Sequence, residues 1–336
     1  MIAAERKTSR MHVSLVIPVH NEAQGLPLLV DALQSVTSSI ACEWSFLFIN
    51  DGSSDDSLSI LEELKAQEPR IGIINLSRCF GKEYAVSAGL KHSDADAVVL
   101  MDADLQDPPQ CLVPMVKAWQ SGFDVVAMRR VDRQVDSWFK RQCASLFYQM
   151  ISNMTNEIQI PSQVGDFRLM SRRVVDVINT LPESNRCLKG LFAWVGFSTT
   201  IIDYKRDSRS MGQSQWSLLK LIKLAMDGLT AFSIVPLRLA TFAGITTAAF
   251  SVLFGLFTLF KTVFIGEPVA GYTTLLTIMT FLGGIQLLAI GMLGEYVGRT
   301  FLEVKGRPLF VVESIKPPGL QRTRPQLVEQ QESCVS

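Results

Sequence analysis

Residues 239–260 and 269–294 contain no Asp, Glu, Lys or Arg, and this restricts the fold more than any other feature of the chain. Helices of these lengths would measure roughly 33 and 39 Å at 1.5 Å rise per residue, against a bilayer hydrocarbon core of about 30 Å. Two membrane-spanning helices are predicted, over 237–264 and 269–297. The competing reading, a buried helical hairpin in a soluble core, fits less well, because only residues 261–268 separate two runs that each meet the membrane length rule. Arg238 precedes the first run, and Arg299, Lys305 and Arg307 follow the second, whereas the connection carries only Lys261 against Glu267. An excess of cations marks the cytoplasmic side, so both ends of the chain are expected there.

Ahead of the apolar runs the pattern changes. Residues 13–19, 44–50, 71–76, 97–102 and 124–128 are short and rich in β-branched residues, and they read as strands. Between them, 26–37, 58–67, 83–91 and 111–122 repeat apolar residues at helical spacing. Strict alternation of this kind predicts an α/β domain, over 11–212, built from right-handed βαβ units on a mainly parallel sheet. Chemistry in such sheets sits beyond the carboxyl ends of the strands. Trp216, Leu219, Ile222, Met226 and Leu229 share one helical face within 213–236, while Lys220, Lys223 and Asp227 fall on another. That segment reads as an interfacial helix along the bilayer, or alternatively as a helix packed on the domain. Residues 136–154 show a weaker form of the same pattern. Residues 1–10 are expected to be flexible, 298–315 to form a cytoplasmic C-terminal segment, and 316–336, without periodicity, a disordered tail.

Several classes of function are excluded. Lys+Arg and Asp+Glu balance at 32 each, so no basic field points to nucleic acid. The hydrophobic share of 48% and mean hydropathy of +0.23 are high for a soluble enzyme, with the excess lying after about residue 230. The 6 cysteines form no CxxC pair, which suits a reducing compartment and does not suit a zinc site. Neither a dinucleotide nor a P-loop glycine pattern follows the first strand, which ends in Pro18-Val19-His20-Asn21-Glu22.

Asp102-Ala103-Asp104 closes the fourth predicted strand. In extended chain, residues i and i+2 point the same way, so both carboxylates face one space. Two close carboxylates ionise together cheaply only when a cation shares them, and a hard divalent ion with diphosphate oxygens in its shell meets that need. Asn50-Asp51-Gly52-Ser53 closes the second strand in the same manner. There Asp51 either caps the following helix, with Ser53 and Asp56 in a capping box, or meets a nucleotide base.

These motifs resemble those of family 2 glycosyltransferases of the polyprenyl-phosphate branch. The likeness rests on 16–22, 50–55 and 102–108, then on Gly165-Asp166-Phe167-Arg168-Leu169-Met170, on 181–186, on Lys189-Gly190 and on Trp194-Val195-Gly196. The two apolar runs, followed by 294–299 and 303–308, narrow it toward bactoprenol (undecaprenyl-phosphate) glucosyltransferases, over roughly residues 11–313. His20 stands where an aromatic residue or Tyr is common, and Asn50 replaces a frequent Asp. A polymerising synthase is disfavoured, because Gln213-Ser214-Gln215-Trp216 lacks the Arg of a Q-x-x-R-W motif. A non-catalytic nucleotide-sugar scaffold on the membrane is disfavoured by the intact acidic pair.

The resemblance implies an inverting GT-A (nucleotide-diphospho-sugar transferase) domain followed by interfacial helices and two transmembrane helices in a bacterial plasma membrane. It implies Mg²⁺ or Mn²⁺ on Asp102 and Asp104, and a nucleotide sugar against Pro18, Val19, Asn21, Glu22, Asp51, Lys82, Ala103 and Gln106. UDP-glucose is the expected donor, with GDP-mannose, UDP-GlcNAc and a UDP-4-amino-arabinose derivative as alternatives. Undecaprenyl phosphate is the expected acceptor, its phosphate held by Arg129, Arg130, Arg168 and Arg209. Asp166 either orients or deprotonates the acceptor, or fixes Arg168 by a salt bridge. A homotetramer is implied, together with a flippase and a periplasmic glycosyltransferase working downstream on O-antigen or another envelope glycan.

Overall fold

The computed structural model describes residues 11–131, 164–183, 186, 188–205 and 271–319, and part of 241–264. In chain order the elements are β1 (His12–Val19), α1 (Leu26–Thr37), β2 (Glu43–Asn50), α2 (Ser57–Gln67), β3 (Ile71–Leu76), α3 (Lys82–His92) and β4 (Ala97–Leu100). They continue with α4 (Leu112–Gln120), β5 (Val125–Arg130), β6 (Val164–Ser171), α5 (Arg172–Thr180), α6 (Leu188–Trp194), β7 (Thr199–Tyr204), α7 (Tyr272–Val304) and β8 (Val312–Lys316).

One sheet holds all eight strands among the described residues, in the order β7-β5-β6-β4-β1-β2-β3-β8. The centre is parallel: β1 pairs with β2 and β4, and β2 with β3. Toward the edges the pairing changes, since β6 runs antiparallel to both β4 and β5, and β8 antiparallel to β3. The five expected strands and four expected helices are all present within a few residues. Those not expected are β6, β7, β8, α5 and α6.

Both faces of the sheet are covered, which is why the central strands are apolar at successive positions. Val13, Leu15 and Ile17 pack with Leu26, Leu29 and Leu33 of α1 and Met115 of α4 on one side. Val16, Leu47 and Ile49 meet Ala85 and Ala88 of α3 and Val174, Val175 and Ile178 of α5 on the other. Each fully buried Leu, Ile or Phe contributes about 1.5–3 kcal/mol relative to exposure. With β1 to β4 parallel, the residues after Val19, Asn50, Leu76 and Leu100 emerge along one edge. Leu100 is opposite Arg168, so the antiparallel β6 begins at that edge with Val164, Gly165 and Asp166.

The 33-residue α7 is about 50 Å long by its rise. Its segment Phe281–Val304 is long and apolar enough to cross a membrane, and it is the one helix among the described residues that meets this test. Phe281, Leu287, Ile290 and Val297 point outward from it. The helix runs past the expected boundary at 297 and takes in Arg299. The residues described between 241 and 264 are helical, with Phe242, Ile245 and Phe257 also outward. The expected interfacial helix at 213–236 and the weaker one at 136–154 lie outside the described residues. The expected start of a disordered tail at Lys316 falls instead inside β8, and the Gly319 amide still donates to the Pro69 carbonyl at 2.7 Å. Residues after Gly319 are outside the described part.

Helix α3 approaches the sheet through Gly89, where a Cβ would collide with Val16 and Ile49 side chains. Overpacking of a filled core costs about 1–3 kcal/mol. Gly89→Ala is therefore expected to lower the unfolding free energy of the α/β domain by that amount in denaturant titrations of the full-length protein; an unchanged midpoint would show that the contact yields.

Candidate active site

At the carboxyl edge lies a cavity of about 380 Å³ lined by Pro18, Val19, His20, Glu22, Asp51, Cys79, Gly81, Lys82, Asp102, Ala103 and Asp104. These residues come from the ends of β1, β2 and β4 and from the segment joining β3 to α3, and parallel pairing brings those strand ends to one edge.

Asp51 is buried and organises the back wall. Its Oδ1 accepts the Phe80 amide at 2.7 Å and its Oδ2 the Gly81 amide at 2.9 Å, with the Cys79 thiol donating at 3.5 Å. It fastens the segment ahead of α3; at the start of α2 the N-cap residue is Asp56, which makes no side-chain cap bond, and the Ser57 amide donates to Asp55 Oδ1. Gly52 and Gly81 have φ of 59° and 109°, where L side chains are strained. A Cβ on Gly52 would also strike the main chain of Arg78 and Cys79. The loops after β1 and β2 are joined by three main-chain donors, Asn21 to Ser53 Oγ, Glu22 to Ser57 Oγ and Ala23 to Asp55 Oδ2. Asn21 takes φ 57° and its side-chain oxygen accepts the Ser54 amide at 2.8 Å. The Asn21 side chain thus holds the loop.

Lys82 stands between two carboxylates. Its Nζ lies 2.6 Å from Asp102 and 2.9 Å from Asp166. Burial alone would push the ammonium's pKa down, but the two anions outweigh it and hold the lysine charged well above its ordinary range. Asp104 Oδ1 accepts the Gln106 amide at 3.1 Å, closing a turn in which Leu105 adopts φ 58°. A non-glycine residue there costs of order 1–3 kcal/mol, and such outliers gather at functional sites. Asp102 and Asp104 both line the cavity, and hard carboxylate oxygens facing one space suit Mg²⁺ or Mn²⁺. Lys82 already shows that this position favours positive charge. A second group, His20, Asp51 and Cys79, places ligand atoms within 4.8 Å of one another. There the Asp51 oxygens already accept main-chain donors, and His20 Nδ1 is 2.8 Å from the Asp51 carbonyl.

Among the described residues, no arginine lines this cavity. Arg168 is buried, stacked 4.0 Å over Phe192, with its donors directed to the carbonyls of Gly165 and Asp166 at 2.7 and 3.3 Å. Burial pulls its pKa down to about 10, so it stays charged at neutral pH. These bonds tie Arg168 to the main chain at the start of β6, beside Asp166. The expected Asp166–Arg168 contact is made through the Asp166 carbonyl. Arg129 is engaged by Asp203 on β7 at 2.6 Å. Arg130 neighbours it at the end of β5, and Gln106 is buried beneath the turn. Arg209 lies outside the described residues.

Three supports escaped the sequence reading. Asn50 Nδ2 donates to Asn75 and Asn75 Nδ2 to Glu313 of β8, each at 2.7 Å, a relay ending beside Asp51. Glu83 accepts the Leu188 amide, and the Tyr204 hydroxyl donates to Asp107 at 2.7 Å. Each joins residues far apart in sequence; only the polar Asn75 within an apolar strand gave a signal.

Residues 14–178 match the sequence family described as Glycosyl transferase family 2. The chain is 42% identical over 305 residues to an uncharacterized glycosyltransferase of Synechocystis sp., covering 91% of this chain and 96% of that one. It is 42% identical over 306 residues to the bactoprenol glucosyl transferase of Shigella phage SfX, covering 91% of this chain and all of that one (100%). The prophage bactoprenol glucosyl transferase homolog of Escherichia coli K12 is 40% identical over the same shares, 91% and 100%. The chain belongs to glycosyltransferase family 2, in the branch of the bactoprenol glucosyltransferases, and its sheet is the GT-A-like core of that family.

An amide in place of the Asp51 carboxylate would leave one buried main-chain donor without an acceptor, a loss of about 1–3 kcal/mol. Asp51→Asn is expected to weaken nucleotide diphosphate binding by about tenfold or more in calorimetric titration; unchanged affinity would detach the segment at 79–81 from nucleotide binding.

Proposed function

We propose that the protein transfers a hexose, glucose from UDP-glucose in the first instance, to undecaprenyl phosphate at the cytoplasmic face of a bacterial plasma membrane, with inversion at the anomeric carbon. The observation that carries this reading is the cavity lined by Asp51, Lys82, Asp102 and Asp104 in a chain about 40% identical, over nine-tenths of its length, to proteins named bactoprenol glucosyl transferases. The long apolar α7 and the exposed apolar helical residues at 241–264 support attachment to the bilayer through two spans, with both termini cytoplasmic.

A phosphate monoester has a second pKa near 6, so the attacking oxygen of the acceptor is largely ionised at neutral pH. It forms the new bond to the anomeric carbon as the bond to the nucleotide diphosphate breaks on the opposite side, and the electron pair leaves with the diphosphate. Lys82 supplies a fixed positive charge beside that leaving group, and Asp166, held by the same ammonium, orients the incoming acceptor. Asp102 and Asp104 would hold Mg²⁺ or Mn²⁺, whose chemistry is to neutralise charge developing on the diphosphate. Pro18, Val19, Glu22 and Asp51 bound the space for the nucleoside.

Purified protein given undecaprenyl phosphate and a panel of nucleotide sugars is expected to yield one sugar-phosphate lipid by mass spectrometry, fastest with UDP-glucose. Asp104→Asn and EDTA should each reduce the rate by about two orders of magnitude or more. Full turnover in chelator would remove the metal, and a panel without any lipid product would remove the acceptor.

A further inference from the structure

A second cavity, of about 870 Å³, lies between the carboxyl end of α7 and the segment joining β3 to α3. We infer that it holds the phosphate headgroup of an anionic bilayer phospholipid, a resident ligand that takes no part in the transfer, with Arg78, Lys305 and Arg307 as its cations. The inference rests on α7 crossing the bilayer and is independent of which donor and acceptor are used.

The local sequence builds the cleft. Gly306 ends α7 with φ 58°, a left-handed conformation that commonly terminates helices, and its amide donates to the Glu303 carbonyl at 3.1 Å. The chain turns there, so that Arg307 joins Phe301, Leu302 and Lys305 of the helix end in one lining, which Arg78, Phe80 and Tyr84 complete.

Four cations and two carboxylates line the cleft. Arg299 and Glu295 pair with each other at 2.9 Å, which leaves Arg78, Lys305 and Arg307 against Glu303. The carboxyl end of α7 adds roughly half a negative charge, which falls off within the last turn and does not cancel that cationic excess. A phosphodiester is an anion matched by guanidinium forks and ammonium groups. Two of the cations are also held in place. Arg78 stacks 4.0 Å over Phe80 and donates to the Cys79 carbonyl at 2.9 Å, and the Lys305 ammonium is 5.2 Å from the Phe301 ring. Rings that fix a cation's stem reduce the entropy lost when it grips a ligand.

Position separates this cleft from the reaction and selects a lipid. Along 78–84, Cys79, Gly81 and Lys82 line the first cavity, whereas Arg78, Phe80 and Tyr84 line the second. A group held by Arg78 is thus across that segment from Lys82 and Asp102. Reacting atoms must approach to about 3–3.5 Å, so the occupant is not a reactant. The helical wall is the end of Phe281–Val304, the segment of membrane-crossing length, and its cations fall at the headgroup level of a leaflet that carries anionic lipid. Phe301 and Leu302 are exposed beside them and offer an apolar surface to acyl chains. A soluble phosphate would leave that surface wet.

The test is native mass spectrometry of full-length protein released from nanodiscs that mix phosphatidylglycerol with phosphatidylcholine. The wild type is expected to retain phosphatidylglycerol over phosphatidylcholine by about tenfold. Arg78→Gln, and separately Lys305→Gln with Arg307→Gln, should bring the ratio to within about twofold of parity. Arg78→Lys should keep part of the preference, and thermal melts by circular dichroism check that each variant folds. Equal retention of the two lipids by the wild type overturns the inference. A preference unchanged in both variants, or lost equally in Lys117→Gln, which removes an exposed cation of α4, does so as well. Displacement of the retained lipid by inorganic phosphate would assign the cleft to a soluble anion and overturn it too. Protein that fails to enter nanodiscs would instead remove the membrane reading of α7, and the inference with it.

Discussion

Asp51, Asp102, Asp104 and Asp166 are brought to one edge of a sheet by strand direction, and carboxylates so gathered are tolerated only where positive charge or N–H groups meet them. Every local feature of the site answers that constraint. Lys82 bridges two of the four, main-chain amides hold Asp51, and the Gln106 amide meets Asp104. At an effective dielectric near 20, a charge pair 4 Å apart is worth about 4 kcal/mol before desolvation. The Lys82 ammonium thus links Asp102 and Asp166 across the site. A departing diphosphate adds more negative charge to the same space, which is the physical reason for a divalent ion on Asp102 and Asp104 in the proposed reaction.

The membrane and catalytic parts are not merely tethered. After α7 the chain returns as β8 and extends the sheet beside β3, with the Ser77 amide donating to the Val311 carbonyl at 3.0 Å. The Lys316–Glu62 pair there is about half exposed on both sides and contributes little on its own. The ladder and the Asn50–Asn75–Glu313 relay, buried at its Asn50–Asn75 step, do more, because buried hydrogen bonds are costly to break. Displacing the end of α7 would disturb Asn50, next to Asp51. The strand that follows the helix of membrane-crossing length is thus joined by one hydrogen-bonded relay to the residue next to Asp51.

Much of this was legible in the residues. β1 to β4 read clearly because strands covered on both faces must be apolar at successive positions, and their ends located Asp51 and Asp102 without a structure. β8 was not legible: Val312–Lys316 is short, lacks a strict apolar–polar alternation, leads into a polar tail, and has a partner strand near the start of the chain. Arg168 was read as a ligand of the acceptor phosphate. Its burial depends on Phe192 and on main-chain carbonyls, which no spacing rule reveals. Lys82 stood out after Gly81, but its second partner, Asp166, is supplied by the antiparallel turn of β6 into the parallel sheet.

The central claim is that the two carboxylates at the end of β4 and the diphosphate of the donor share one divalent ion. Binding that shares an ion is reciprocal, so each ligand must strengthen the other by the same factor. Titration of Mn²⁺ into the full-length protein, followed by electron paramagnetic resonance with and without UDP, measures that factor directly. The account predicts that UDP tightens Mn²⁺ by about tenfold or more and that Asp104→Asn abolishes the gain. Equal Mn²⁺ affinity with and without UDP, or a gain that survives Asp104→Asn, would contradict it.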